Sequence, residues 1–155
     1  MAPSIMYREM PTRYKLVCAK AEALPFADAS FDFVVSKVAI PYVNIPRALR
    51  EIHRVLMPGG TIWVSLHPVG MALRRIANDV LRFRIADVLY QLYAIGNGYC
   101  LSYLDRQIPW VLNRDRTEST QTAVAMAKAL LRAGFTDVRV DRDRKPVFAM
   151  SARKA

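Results

Sequence analysis

The 155 residues carry 53% hydrophobic and 23% charged side chains, the balance of one globular domain able to bury roughly 68–70% of its unfolded surface. No apolar run approaches the roughly 18 residues of a spanning helix, and the first residues lack the apolar stretch of a secretory signal. Two cysteines without metal or redox spacing predict reduced thiols, so a soluble, cytoplasmic protein is expected. The net charge of +10 suits an anionic partner, yet the arginines are spread over nearly every segment, which predicts a solvated basic surface and argues against nucleic acid.

Residues Met1 to Arg13 have no periodicity and two prolines, and are expected to form a tail ahead of a domain over 14–155. Tyr14 to Ala19 is a short strand candidate, and Ala21 to Ser30 a connecting loop interrupted by Pro25. Phe31 to Val35 is a short, mainly apolar run whose Val-Val pair and lack of polar alternation suit a parallel strand buried on both faces. Asn44 can cap a helix whose first turn tolerates Pro46, with Leu49, Ile52, Val55 and Leu56 on its inner stripe. Pro58-Gly59-Gly60 should stop that helix, and Thr61 to Leu66 should return as a parallel strand, completing a βαβ unit.

From Met71 to Ile95 helical spacing predicts one long helix, or two joined near Arg82 to Arg84, ended by Gly96-Asn97-Gly98. Tyr99 to Arg116 reads as irregular. Thr117 or Ser119 can cap a further helix through Arg132, with Val124, Ala127, Leu130 and Leu131 facing inward. Phe135 to Val140 and Pro146 to Ala152, joined by a short charged turn, must be antiparallel strands. The expected architecture is an α/β sheet, mostly parallel with an antiparallel C-terminal pair, and helices on both faces.

In an open parallel sheet ligands bind beyond the carboxyl ends of the strands. Lys20-Ala21-Glu22, Ser36 to Tyr42 and His67-Pro68 should therefore converge. No nucleophile stands at a recognisable distance from a base, and no Gly-rich phosphate loop or metal-ligand cluster is visible. The residues alone lead to an α/β ligand-binding domain.

The run AEALPFADASFDFVVS, followed by ALREIHRVLMPGGTIWVS, resembles the central motifs of class I S-adenosylmethionine-dependent methyltransferases, including the ubiquinone- and menaquinone-biosynthesis type. The C-terminal ALLRAGFTDVRV and PVFAMSA are similar to the closing helix and strand pair of that family. The resemblance implies a Rossmann-like methyltransferase fold and methyl transfer from S-adenosylmethionine to a small-molecule acceptor. Lys20, Ala21, Glu22, Ser36, Val38 and Ala39 would border the cofactor, although Glu22 taken alone reads equally as a loop acid. His67 would remove a proton from the acceptor, its ordinary pKa of roughly 6.5 suiting a base; the bland alternative is a loop histidine bonded to backbone. Tyr42, Tyr99, Tyr103 and Trp110 would wall the acceptor pocket unless they are core, with residues 71–116 forming the substrate-side insertion.

The family's Gly-rich cofactor loop and ribose-binding acid find no counterpart here, and Lys20 stands where an acid usually meets the adenine. The chain accordingly reads as N-terminally truncated, with weak or absent cofactor binding by itself. A homo-oligomer or complementing chain would supply the rest. The competing expectation is a non-catalytic methyltransferase-like subunit, or a basic module for nucleic acid or anionic membrane.

Overall fold

The computed structural model describes residues 15–66, 69–113, 117–141 and 148–155. The expected tail, His67-Pro68 and the charged turn after the penultimate strand lie outside these residues. Four strands form one sheet in the order β1-β2-β4-β3: β1 (Phe31–Lys37), β2 (Leu56–Leu66), β3 (Phe135–Asp141) and β4 (Phe148–Lys154). β1 runs parallel to β2, while β2/β4 and β4/β3 are antiparallel. Only one of the three described pairings is therefore parallel.

The βαβ unit forms as its residues dictate. Helix α1 (Ile45–Val55) begins at Asn44, whose Oδ1 accepts from the Arg47 N–H at 3.1 Å. Pro46 has no N–H to satisfy, and the two neighbouring N–H groups find distant acceptors: Asn44 donates to Glu22 Oε1 at 2.7 Å and Ile45 to Gln107 Oε1 at 2.6 Å. Such caps answer the donors that a helix start leaves free. Ile45, Ala48, Leu49, Ile52 and Val55 are buried, and the first four meet Ile62, Val64 and Leu66 of β2 with Met150 and Ala152 of β4 in one core.

The helix ends at Val55, just short of the expected stop. Leu56 is already extended, and β2 starts there rather than at Thr61. Pro58-Gly59-Gly60 forms the irregular start of the strand, where the register with β1 shifts between the Phe31–Leu56 and Phe33–Thr61 partners. Gly59 takes a φ of +77°, and a Cβ on Gly60 would lie 3.0 Å from the Asp32 carbonyl oxygen, so β1 can approach only a glycine.

The expected strand over Tyr14 to Ala19 does not form in its described part. Residues 15–19 have no regular structure, and Leu16 and Val17 are 69% and 51% exposed. A strand needs a ladder and a buried face, and this stretch has neither. Among the described residues helices on both faces are not seen either: α1 and α4 (Ala123–Arg132) touch each other and the sheet, so they share a face. The opposite face leaves Phe33 and Val35 more than half exposed.

Helices α2 (Val69–Leu81) and α3 (Ile85–Leu104) are the pair expected to meet near Arg82 to Arg84. Gly96-Asn97-Gly98 does not end the helix; α3 runs through it for a physical reason. A Cβ on Gly98 would fall 2.0 Å from the Thr120 carbonyl oxygen, so the glycine serves close packing on residues 119–120. Helix α4 begins later than expected, capped by Thr122 Oγ1, which accepts from the Ala125 N–H at 3.1 Å. Its buried stripe is Ala125, Met126, Ala129 and Leu130, one residue out of phase with the expected set, and Val124 and Leu131 are exposed.

His53 on α1 is structural. Its ring meets Phe135 edge-to-face at 5.0 Å, and burial, with the nearby Lys154 charge, lowers its pKa below the ordinary histidine value. The phase of α1 and α4 can be tested by denaturant unfolding. Leu49→Ala should cost about 2–5 kcal/mol, as for a filled core position, while Leu131→Ala should change stability by about 0.5 kcal/mol or less.

Candidate functional site

The segment between Ala21 and Ser30 is held against α1 by one guanidinium. Arg54 donates to the Leu24 carbonyl (3.0 Å), the Phe26 carbonyl (2.8 Å), Asp28 Oδ1 (2.7 Å) and both oxygens of Glu51 (2.9–3.0 Å). Glu51 in turn accepts from the Leu24 N–H at 2.9 Å. Hydrogen bonds from Arg54 and Leu24 hold the Glu51 pKa down to about 2. The loop that precedes β1 is thus fixed by charge-assisted bonds rather than by regular structure.

At the carboxyl end of β1, Ser36 is buried and Val38 takes a φ of +57°. A β-branched side chain rarely adopts that conformation. It persists because the Val38 N–H is gripped by both the backbone oxygen and Oγ of Ser65 on β2, each at 3.1 Å. The chain then turns through a 3-10 helix (Ile40–Tyr42) that delivers Tyr42 to a cleft.

That cleft, of about 410 Å³, is lined by Tyr42, Arg75 of α2, Ala86, Asp87, Tyr90 and Gln91 of α3, and Trp110, Leu112 and Glu118. A small pit lined by Arg75, Gln91 and Glu118 with Pro41, Met71 and Ser119 continues from it. Its aromatic wall is a cluster: Trp110 lies 5.2 Å from Tyr90 and 4.7 Å from Tyr93. The Tyr90 hydroxyl donates to the buried Glu118 carboxylate.

Asn97 builds the strap that carries Trp110 and Glu118. Its amide donates to the carbonyls of Glu118 (2.9 Å) and Ile108 (3.1 Å), and its Oδ1 accepts from the Ile108 N–H at 2.8 Å. Ser119 Oγ accepts from Gln107 and Gln121, and the Ser119 N–H donates to the Pro41 carbonyl. The irregular stretch is therefore ordered by buried polar bonds to α3 and to the turn after β1.

Of the expected acceptor residues, Tyr42 and Trp110 meet in this cleft. Tyr99 and Tyr103 do not; both are largely exposed and line a separate groove between α3 and α4 with Thr122, Val124 and Lys128. Arg75, Tyr90, Gln91 and Glu118 were not anticipated. Gln91, a lone polar residue in an otherwise apolar run of α3, was the one visible signal. The proposed base His67 lies outside the described residues.

On the cofactor side, Lys20 is exposed, Ala21 half-buried and Glu22 committed to the α1 start. Glu22 Oε1 accepts from the Asn44 N–H, which ties the sole carboxylate among these residues to the start of α1.

Residues 5–64 match the methyltransferase domain family. A mitochondrial 2-methoxy-6-polyprenyl-1,4-benzoquinol methylase of Caenorhabditis elegans is 29% identical over 133 residues, covering 84% of this chain and 43% of that protein. A malonyl-[acyl-carrier protein] O-methyltransferase of Erwinia pyrifoliae is 53% identical over 94 residues, covering 52% of this chain and 36% of that protein. The chain spans less than half the length of these relatives. Human N-acetylserotonin methyltransferase in complex with S-adenosylmethionine shares the fold at a TM-score of 0.58, with 17% identity, covering 97% of this chain and 36% of that one. A methyltransferase of Thermotoga maritima does so at 0.54, with 18% identity, covering 88% and 62%.

The sheet, its crossover and the 5–64 motifs define a Rossmann-like α/β domain of the methyltransferase type. Over residues 5–64 and in its fold the chain is similar to class I S-adenosylmethionine-dependent methyltransferases. The Arg54 knot gives a pH test. A carboxylate whose folded pKa lies at about 2, against its ordinary 4.5, adds stability above pH 4.5 and loses it as pH falls toward 2. In melting experiments Glu51→Gln should be less stable than wild type at neutral pH. The gap should close between pH 4.5 and 2, whereas an unchanged gap would remove the knot from the account.

Proposed function

We propose that the domain transfers a methyl group from S-adenosylmethionine to a small-molecule acceptor held in the cleft of Tyr42, Tyr90, Gln91, Trp110 and Glu118. One observation carries the reading: the strained Val38 turn at the carboxyl end of β1 leads within four residues to Tyr42, which walls the cleft. Ligands in open α/β sheets lie beyond strand carboxyl ends, so cofactor wall and acceptor cleft adjoin. Residues 71–116 are then the substrate-side part of the domain over 14–155, and Lys20, Ala21, Glu22, Ser36, Val38 and Ala39 border the cofactor.

The relatives do not name the acceptor. A human arginine-hydroxylase, NDUFAF5, is 47% identical over 53 residues covering 34% of this chain and 15% of that protein, so the matched stretch serves more than one reaction. The cleft is the better guide. Its aromatic walls suit an apolar or planar body, and Gln91 and Arg75 offer donors to polar substituents. Cofactor, when bound, supplies the methyl group. The chain aligns the acceptor with it, and such positioning can contribute roughly 7–11 kcal/mol of barrier reduction. His67, which follows the last residue of β2, is assigned to take the acceptor proton. Free thiols at Cys18 and Cys100 fit a cytosolic setting.

Because Glu22 is tied to the start of α1 and Lys20 brings donors but no acceptor, the 155-residue chain alone should bind S-adenosylmethionine weakly. A complementing chain that supplied a Gly-rich turn and a free acid would tighten it. Calorimetric titration with S-adenosylmethionine and S-adenosylhomocysteine tests this, and micromolar binding by a monomer would overturn the expectation of weak binding. In an active preparation His67→Ala should lower turnover and flatten the pH–rate profile near neutrality; an unchanged profile removes His67 as the base.

A further inference from the structure

The turn between α2 and α3 reads Leu81-Arg82-Phe83-Arg84-Ile85, large apolar side chains alternating with arginines. Leu81, Phe83 and Ile85 are 78%, 88% and 70% exposed, values unlike those of a packed helix junction. Leu89 and Leu92, further along α3, remain more than half exposed, and so does Leu112 at 85%. Leu112 lies beside the tip, since it lines the acceptor cleft with Ala86 and Asp87 of the first turn of α3. An apolar belt thus runs from the tip to the mouth of the cleft. Contiguous exposed apolar surface of this kind marks an interaction site.

The charges around it are basic. Arg84 is engaged by Asp87 at 2.5 Å and by Asp79 at 3.9 Å. Arg82 at the turn, and Arg74 and Arg75 on α2, have no ion-pair partner among the described residues, so four arginines stand against two aspartates over residues 71–93. The whole chain carries +10.

We infer that the α2–α3 tip inserts between the headgroups of an anionic lipid bilayer, with the arginines on phosphates and Leu81, Phe83 and Ile85 below them. The acceptor is then an amphiphile that enters the cleft from the lipid surface. The second statement rests on the proposed methyl-transfer reading, while the first does not. A lipid surface fits better than the alternatives. Nucleic acid would satisfy the arginines but leave the apolar side chains in water. A projecting turn with one ring 88% exposed gives a folded protein partner little flat area to cover, whereas lipid closes around it and Arg stems lie along the apolar boundary.

The test is cosedimentation of the full chain, without cofactor, with vesicles of phosphatidylcholine alone and of phosphatidylcholine mixed with phosphatidylglycerol. Wild type should bind the mixed vesicles at least about tenfold more tightly, and less tightly as salt rises. The pair Leu81→Ser and Phe83→Ser should lose about tenfold or more in binding with an unchanged melting temperature. If the pair melts early, Phe83→Gln alone carries the test. Failure to bind anionic vesicles, equal binding by the variants, binding to duplex DNA alone, or self-association abolished by the variants would each overturn the inference. Vesicle binding that survives alongside failed methyl transfer would remove only the methyl-transfer reading. Turnover that is not raised by presenting an amphiphilic acceptor in vesicles, in a preparation that methylates it in solution, would remove only the lipid-borne acceptor.

Discussion

The Arg54 fork is the interaction on which the βαβ unit depends. Residues 24–30 follow no helix or strand, and their backbone groups must find partners elsewhere. Arg54 takes the carbonyls of Leu24 and Phe26, Glu51 takes the Leu24 N–H, and the last turn of α1 accepts from Ala29 and Ser30 through the Arg54 and Val55 carbonyls. The loop therefore arrives at Phe31 with its position already set, and β1 can pair with β2 in one register. A lysine could not do this, because the bonds need a planar fork with several fixed donors.

A second polar network does for the acceptor side what Arg54 does for the sheet. Asn97 is 3% exposed, yet its amide groups are fully used, binding two segments of the strap that are 11 and 21 residues away in sequence. Beside it Gly98 lets α3 touch the Thr120 carbonyl. The pair looks like a helix terminator in one dimension and is a docking point in three. Because Asn97 answers both segments at once, Trp110 and Glu118 are held without regular structure around them.

This explains which parts of the chain were legible. The start and stripe of helix α1 were legible because their signals are local, Asn44 as cap, Pro46 in the first turn and Leu49, Ile52 and Val55 facing inward, whereas its end and the passage of Leu56 into β2 were not. The closing strand pair was legible for the same reason, its short turn permitting only an antiparallel return. The misreadings occur where distant contacts override local preference. Thr117 and Ser119 have the chemistry of helix caps, but Ser119 is consumed by Gln107, Gln121 and the Pro41 carbonyl, so the helix waits for Thr122. That delay shifts the buried face of α4 to Ala125, Met126, Ala129 and Leu130. Of the four aromatics expected to wall one pocket, Tyr42 and Trp110 share the cleft while Tyr99 and Tyr103 line another groove, and Arg75 and Glu118 carry no local mark of a site at all.

The strain at Val38 ties these two halves together. Glycine would adopt a φ of +57° freely, and valine there is held at a cost of order 1–3 kcal/mol. The restraint comes from β2, whose Ser65 accepts the same N–H twice, and beyond it from the core under Val64 and Leu66. The turn is thus imposed by the sheet and does not wait for a ligand. From it the 3-10 turn carries Pro41, whose carbonyl takes the Ser119 N–H, and Tyr42, which walls the cleft. A shift at the carboxyl end of β1 would therefore move Tyr42 and the strap together, because the Pro41 carbonyl and the Ser119 N–H couple them.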